Sequence, residues 1–206
     1  PGRNWSSLLH KASRLKLHGR PNINHKRGYN AKYVININFF KAWNPDIAYI
    51  FGRLITDGSW RLRKNGGDLS IKSIDKENLE KMRFIMGSTH HIRREKNKKI
   101  GNAIHVLGIF NNELVKDIMR LESQLTELIL HGEHFWDFLR GVIDGDGGLY
   151  IQNRSLRVTI TSIDQHFLKS IQTRCGYGVI YQSGKYYTIN FLGRNAITIC
   201  QEIYRD

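Results

Sequence analysis

The sequence predicts an α+β protein built from two pseudo-symmetric copies of one αββαββα unit, preceded by a basic extension. Three observations predict it. The chain repeats itself without a gap at an offset of 89 residues: residues 47–87 laid on 136–176 agree at nine of 41 positions. Each copy alternates stretches of helical periodicity with short stretches of period two. Residues 1–45 hold nine Lys and Arg and no Asp or Glu. A register that survives several turns marks duplicated structural units. The expected organisation is an extension over 1–37, a first subdomain over 38–124, a linker over 125–132 and a second subdomain over 133–206.

In the extension, Trp5, Leu8, Leu9, Ala12, Leu15 and Leu17 recur at helical spacing, with Arg14 and Lys16 between them and Arg20 beyond. The pattern suits the end of a small helix-turn-helix-like unit. A segment free of acids suits phosphate contact, which makes Arg14, Lys16 and Arg20 candidate nucleic-acid ligands.

The first copy opens at Asn44-Pro45-Asp46, a helix start with an Asn cap, Pro in the first position and an acid in the first turn. That helix runs to about Thr56, and Gly58 ends it. Ser59–Arg63 and Asp68–Lys72 alternate polar and apolar residues, with Gly66-Gly67 as the turn between them. Asp75 caps a helix through about Met86. His90–Lys96 and Ala103–Phe110 read as strands, separated by a basic loop, and Asn112 begins a closing helix to about Leu121. The second copy follows with a helix over 133–145, strands over 149–154 and 156–161, a helix over 164–174, strands over 178–182 and 186–191, and a last helix from about Arg194.

Composition narrows the partner. The 206 residues are 40% apolar, enough for a packed core, and carry 32 Lys and Arg against 18 Asp and Glu, a net charge of +14. With a pI near 9.9, such a chain meets a polyanion, most often nucleic acid. A membrane is disfavoured. No run approaches the ~18–20 apolar residues of a spanning helix, and the cations lie on strands and loops rather than along one amphipathic helix. Cys175 and Cys200 sit outside any CxxC pattern, which suits a reduced, intracellular compartment such as cytoplasm, nucleoid or an organelle matrix. His90, His91 and His105 have neither Cys nor HExxH spacing beside them, so they do not read as a zinc site.

The chemistry is expected where the repeat is sharpest. Ile50-Phe-Gly-Arg-Leu-Ile-Thr-Asp57-Gly58 aligns with Leu139-Arg-Gly-Val-Ile-Asp-Gly-Asp146-Gly147. Small residues at i and i+4, Gly52 with Thr56 and Gly141 with Gly145, allow two helix backbones to approach below the usual ~8–10 Å. Ile50, Leu54, Leu139 and Ile143 bury the rest. Asp57 and Asp146 then lie at adjacent helix C-termini, where the macrodipole and their mutual repulsion both disfavour them. A divalent cation resolves both problems, and oxygen-only ligands suit Mg²⁺, with Mn²⁺ or Ca²⁺ as alternatives. Asp57 and Asp146 are therefore the candidate catalytic residues, and with Thr56 and Gly145 the candidate metal site. Asp75 and Asp164 also recur at the repeat spacing, but at helix starts, and read as caps.

The strands supply a binding surface. Trp60, Leu62, Leu69 and Ile71 are expected to face inward, leaving Arg61, Arg63, Ser70 and Lys72 outside. In the second copy Leu156, Val158, Ile160, Tyr187, Ile189 and Phe191 face in. Tyr150, Gln152, Arg154, Arg157, Thr159, Thr161, Tyr186, Thr188 and Asn190 face out. With Arg93, these side chains suit base edges and phosphates in a major groove, and acids are scarce among them.

Over about residues 38–206 these features resemble the LAGLIDADG homing endonucleases of the single-chain, two-motif type. The carrying residues are the stretch from Phe39 through Asn44-Pro45-Asp46 to Asp57-Gly58 and the segment Gly141-Val-Ile-Asp-Gly-Asp-Gly147. The resemblance implies saddle-shaped antiparallel sheets on a long duplex DNA target. It also implies divalent-metal cleavage of both strands with 3′ overhangs by an intron-encoded monomer. The last acid of each motif, here Asp57 and Asp146, would bind the metal. An intron RNA maturase and a cleavage-inactive DNA-binding regulator share this fold and are the alternatives. The motifs depart from the family at one earlier acidic position, Ile55 in the first copy against Asp144 in the second. Ser73 and Ser162 fall where relatives carry a polar strand residue. Gly108 and Asn190 lie near the position of a lysine that no motif supplies here, and Lys98, Lys99 and Lys185 are the loop residues that could reach in for it. Unequal cleavage by the two halves is the expectation.

Overall fold

The computed structural model describes residues 33–64, 66–96 and 103–205. Arg14, Lys16, Arg20, Lys98 and Lys99 lie outside the described residues. A short turn of 3-10 helix, Phe39–Lys41, leads into α1 (Pro45–Asp57). Then come β1 (Gly58–Arg63), β2 (Gly66–Ser73), α2 (Lys76–Ile85), β3 (Ile92–Lys96), β4 (Ala103–Phe110) and α3 (Asn112–Ser123). The second half contains α5 (Phe135–Asp146), β5 (Gly147–Gln152), β6 (Ser155–Ser162), α6 (Gln165–Cys175), β7 (Val179–Ser183), β8 (Tyr186–Leu192) and α7 (Arg194–Ile203). Between the halves, Leu125–His131 form a helix, α4, so the segment read as a linker is itself regular structure.

Two four-stranded antiparallel sheets share one topology, β1-β2-β4-β3 and β5-β6-β8-β7. The repeat extends to the register: Gly58 pairs with Ile71 and Gly147 with Ile160, each 89 residues apart. Helix starts follow local chemistry. The Asn44 side chain accepts the Ile47 N–H, Asn111 that of Leu114, Asp75 those of Glu77 and Asn78, and Asp164 those of His166 and Phe167. Asp75 and Asp164 are thus caps, as expected of them.

Local differences from the sequence reading have physical reasons. Gly66 and Gly67 are strand residues paired with Arg63 and Leu62, and the turn lies before them. Gly67 serves close approach: a Cβ there would stand 2.6 Å from the Asn111 carbonyl oxygen, and Asn111 N–H donates to the Gly67 carbonyl at 2.9 Å. Leu62, expected in the core, is 45% exposed, because its cross-strand partner is that glycine and β1 is an edge strand. Arg154 sits in the two-residue turn with Asn153 rather than in a strand, both at positive φ (62° and 51°), the geometry that joins tight hairpins. Among the described residues no helix is long and apolar enough to cross a membrane.

The core runs through both halves. Ile50, Phe51 and Leu54 on α1 and Leu139 and Val142 on α5 are wholly buried, and each sheet adds its inner face, Leu69, Ile71 and Leu107 in one half and Val158, Ile189 and Phe191 in the other. The helix pair α1 and α5 is the most extensive contact between elements. It brings the last residues of both helices together.

Candidate active site

The α1–α5 interface is set by glycine. A Cβ on Gly52 would land on the Phe138 carbonyl oxygen and 3.1 Å from the Gly141 Cα. A Cβ on Gly141 would land on the Tyr49 carbonyl oxygen and 3.1 Å from the Gly52 Cα. One turn on, the Gly145 backbone lies against the Thr56 side chain, where any Cβ would collide. Nothing larger than hydrogen fits at Gly52 or Gly141, which is why these small residues recur at the repeat spacing.

Each helix ends at the residue before a glycine. Gly58 N–H donates to the Leu54 carbonyl and Gly147 N–H to the Ile143 carbonyl, so the chain folds back tightly over the preceding turn and enters β1 or β5. Side chains are excluded by space rather than by φ: a Cβ on Gly58 would lie 2.9 Å from Leu54 Cα, and one on Gly147 would lie 2.6 Å from Ile143 Cα. Asp57 and Asp146 are the last helical residues. Burial pushes both carboxyls above the ordinary carboxylate range. Arg53 pulls both down, and the Asp146 charge raises Asp57 further, so the two carboxylates lie close enough to feel one another.

Arg53 is the residue the sequence reading missed. It is 1% exposed, and its guanidinium meets the Asp57 carboxylate at 2.9 Å and donates to the Asp144 carbonyl on the opposite helix. A charge four residues before the motif acid, in a stripe that is otherwise apolar, was the available signal. Asp144 is a stitch between helices: its carboxylate accepts the Tyr49 hydroxyl at 3.0 Å, and burial with that charge pushes the Tyr49 phenol above its ordinary range. This explains how Ile55 can replace the acid in the other copy, where Phe138 stands at the counterpart of Tyr49.

The donor set fits a hard divalent cation. Two carboxylates at the negative ends of two helices exceed the single charge Arg53 supplies, and helix-end carbonyls lack intrahelical partners. Among the described residues no three His, Cys, Asp or Glu side chains cluster, so further ligands would be carbonyls, water or a phosphate, the mixture typical of Mg²⁺ sites. The Thr56 hydroxyl donates to the Arg53 carbonyl at 3.0 Å, and the Thr56 backbone carbonyl lies at the helix end, where carbonyls lack intrahelical partners.

The sheets place most of the expected surface residues outward. Arg61, Arg63, Lys72, Arg93, Tyr150, Gln152, Arg154, Thr161 and Tyr186 are exposed, and Ser70, Arg157, Thr159 and Thr188 are half-buried. The face is less purely basic than expected: Asp68 lies 3.5 Å from Arg61 and 3.8 Å from Arg63, and Glu95 lies 3.6 Å from Arg93. Asn190 is a correction. It is 7% exposed, and its amide donates to the hydroxyl of Tyr181 on the neighbouring strand β7, which covers it. Ser73 and Ser162 are held locally, each hydroxyl accepting the N–H of the following cap, Asp75 or Asp164, at 3.1 Å. Among the described residues the nearest side chain to Gly108 is Arg93, whose guanidinium reaches to 3.5 Å of where a Cβ would be.

The pseudo-two-fold arrangement of two like sheets about the α1–α5 pair is the fold of the LAGLIDADG homing endonucleases. I-DmoI in complex with DNA and Mn superposes with a TM-score of 0.58 at 14% identity, covering 83% of this chain and 99% of the other. LAGLIDADG homing endonuclease I-GzeII in complex with its DNA target gives 0.53 at 15%, covering 80% and 85%. I-SmaMI bound to uncleaved DNA in the presence of calcium ions gives 0.52 at 15%, covering 79% and 85%. No family model and no curated protein matches the chain by sequence. The resemblance read from the two motifs therefore holds at the level of fold.

Proposed function

We propose that the chain is a site-specific DNA endonuclease of the homing type, a monomer that binds a long asymmetric duplex and hydrolyses both strands to leave 3′ overhangs. The observation that carries the reading is the convergence of Asp57 and Asp146 at the joined ends of α1 and α5. No packing need explains a half-buried Asp57 carboxylate beside an exposed Asp146 carboxylate whose charge raises it further. Solved proteins of the same fold are bound to DNA with Mn or calcium, and the outward sheet faces here present Arg, Lys, Gln, Thr and Tyr.

Asp57 and Asp146 would hold the divalent ion, Mg²⁺ by its fit to oxygen donors, with the backbone oxygens of Thr56 and Gly145 beside them. Bound there, the ion supplies an activated water and charge stabilisation at the leaving oxygen. The chain's own part is positional. Gly52 and Gly141 set the spacing of the acids, Arg53 orients Asp57, and the Tyr49–Asp144 bond locks the two helices against sliding. Arg61, Arg63, Lys72 and Arg93 in one half, and Gln152, Arg154 and Arg157 in the other, fix the duplex by phosphates and base edges.

The test is incubation of a randomised duplex library with the protein in Mg²⁺ or in EDTA. Recovery of one long site, cut in both strands and only with metal, is the expected result. Specific retention of a DNA without cutting would replace the nuclease by a regulator.

A further inference from the structure

Arg53 breaks the symmetry of the site. Its counterpart at the 89-residue offset is Val142, wholly buried and apolar. A guanidinium sealed between two helices is costly unless its partners are well placed. Three groups face it: the Asp57 carboxylate four residues on, the Asp144 carbonyl across the interface, and the Asp146 carboxylate, which feels its charge. Among the described residues its Nε has no partner. The guanidinium's ion pair is with Asp57, at the negative end of α1.

Resting on the nuclease reading, we propose that Arg53 is a positioning residue: an internal counter-cation that holds Asp57 beside Asp146 while the site is free of metal and competes with divalent ions for Asp57. The geometry supplies each part. The i, i+4 spacing brings guanidinium and carboxylate to one face of α1. The bond to the Asp144 carbonyl tethers the same group to α5, so one side chain clamps both helices at the end where two carboxylates push them apart. It brings one positive charge to two negative ones, leaving attraction for a cation but placing a fixed charge where that cation must approach. Only the first half carries such a group. The carboxylate of Asp57 is already engaged and, among the described residues, that of Asp146 makes no ion pair, so the half served by Asp57 needs the higher metal concentration, and its strand is cut second when metal is limiting.

The experiment is Mn²⁺ binding to the DNA-free protein, read by electron paramagnetic resonance, for wild type, Arg53→Gln and Arg53→Lys. The glutamine removes the charge and keeps a polar amide; the lysine keeps the charge. Arg53→Gln is expected to bind Mn²⁺ about tenfold more tightly than wild type, with Arg53→Lys close to wild type. A purely structural arginine would not move metal affinity in this way. Unchanged or weaker binding by Arg53→Gln overturns the proposal and leaves the nuclease reading standing. Absence of Mn²⁺ binding by wild type and variants alike overturns both. Should Arg53→Gln not fold, the wild type carries the test through its ¹⁵N-labelled arginine side chains. The Arg53 Nε–H signal shifts as Mg²⁺ is added if the proposal holds, and a still signal beside a moving Gly58 amide refutes it.

Discussion

Gly52 and Gly141 face each other across the pseudo-two-fold axis so closely that a Cβ on either would stand 3.1 Å from the Cα of the other. The contact is backbone to backbone and cannot be relieved by turning a side chain. It sets the distance between helix ends and so the distance between the acids.

Alanine at Gly52 or Gly141 is therefore expected to force α1 and α5 apart. Overpacking of this kind costs ~1–3 kcal/mol, visible as a lower melting temperature. Cleavage should fall much further than DNA affinity, because the sheets remain while the site opens. Calorimetry beside a cleavage assay checks this; a variant as stable and active as wild type would mean that the interface has slack.

Asp146 offers a pH signature. Its folded carboxyl is held above the ordinary range, mainly by burial. Its contribution to stability is thus fully present below the unfolded-state pKa and is lost as pH rises through the folded one. In EDTA, Asp146→Asn should melt higher than wild type at pH 7, and the gap should close as pH falls toward ~4. A gap that is absent at pH 7, or that widens in acid, would contradict the electrostatic description of the site.

Asp75 and Asp164 recur as faithfully as the motif acids but cap helices. Alanine at either should cost ~1 kcal/mol of stability and leave cleavage intact at temperatures where the protein is folded. Thermal melts and strand cutting measured together separate the two pairs of aspartates, and a loss of cutting without loss of stability would place these residues in the chemistry.

Asp68 pairs with Arg61 at 3.5 Å and with Arg63 at 3.8 Å, offsetting part of their positive charge on the outward face. Asp68→Asn should tighten DNA binding several-fold at low salt, the gain shrinking as salt rises. Stability should change little, since exposed ion pairs contribute ~0–1 kcal/mol. Fluorescence anisotropy over a salt series measures it, and unchanged affinity would show that the end of β1 does not meet DNA.

The legibility of this chain follows from its duplication. One copy of Asp-Gly is a turn, but two at a fixed offset, each after a small-residue stripe, led from residue spacing to the helix pair. Caps and strand alternation are local, and Asn44, Asp75 and Asp164 behave as their neighbours dictate. What depends on distant residues was not legible. Leu62 is uncovered because a glycine lies across from it, and Asn190 is sealed by a tyrosine on the next strand. Arg53 escaped notice because an arginine four residues from an aspartate reads as a surface pair until the helix is known to be buried.

The decisive measurement is cutting of the recovered target, in Mg²⁺, by the Asp57→Asn/Asp146→Asn protein, with binding followed on the same DNA. The duplex is expected to be bound with near wild-type affinity, and both strands are expected to remain intact. Full cleavage of either strand by that protein would remove Asp57 and Asp146 from the chemistry and the nuclease mechanism with them.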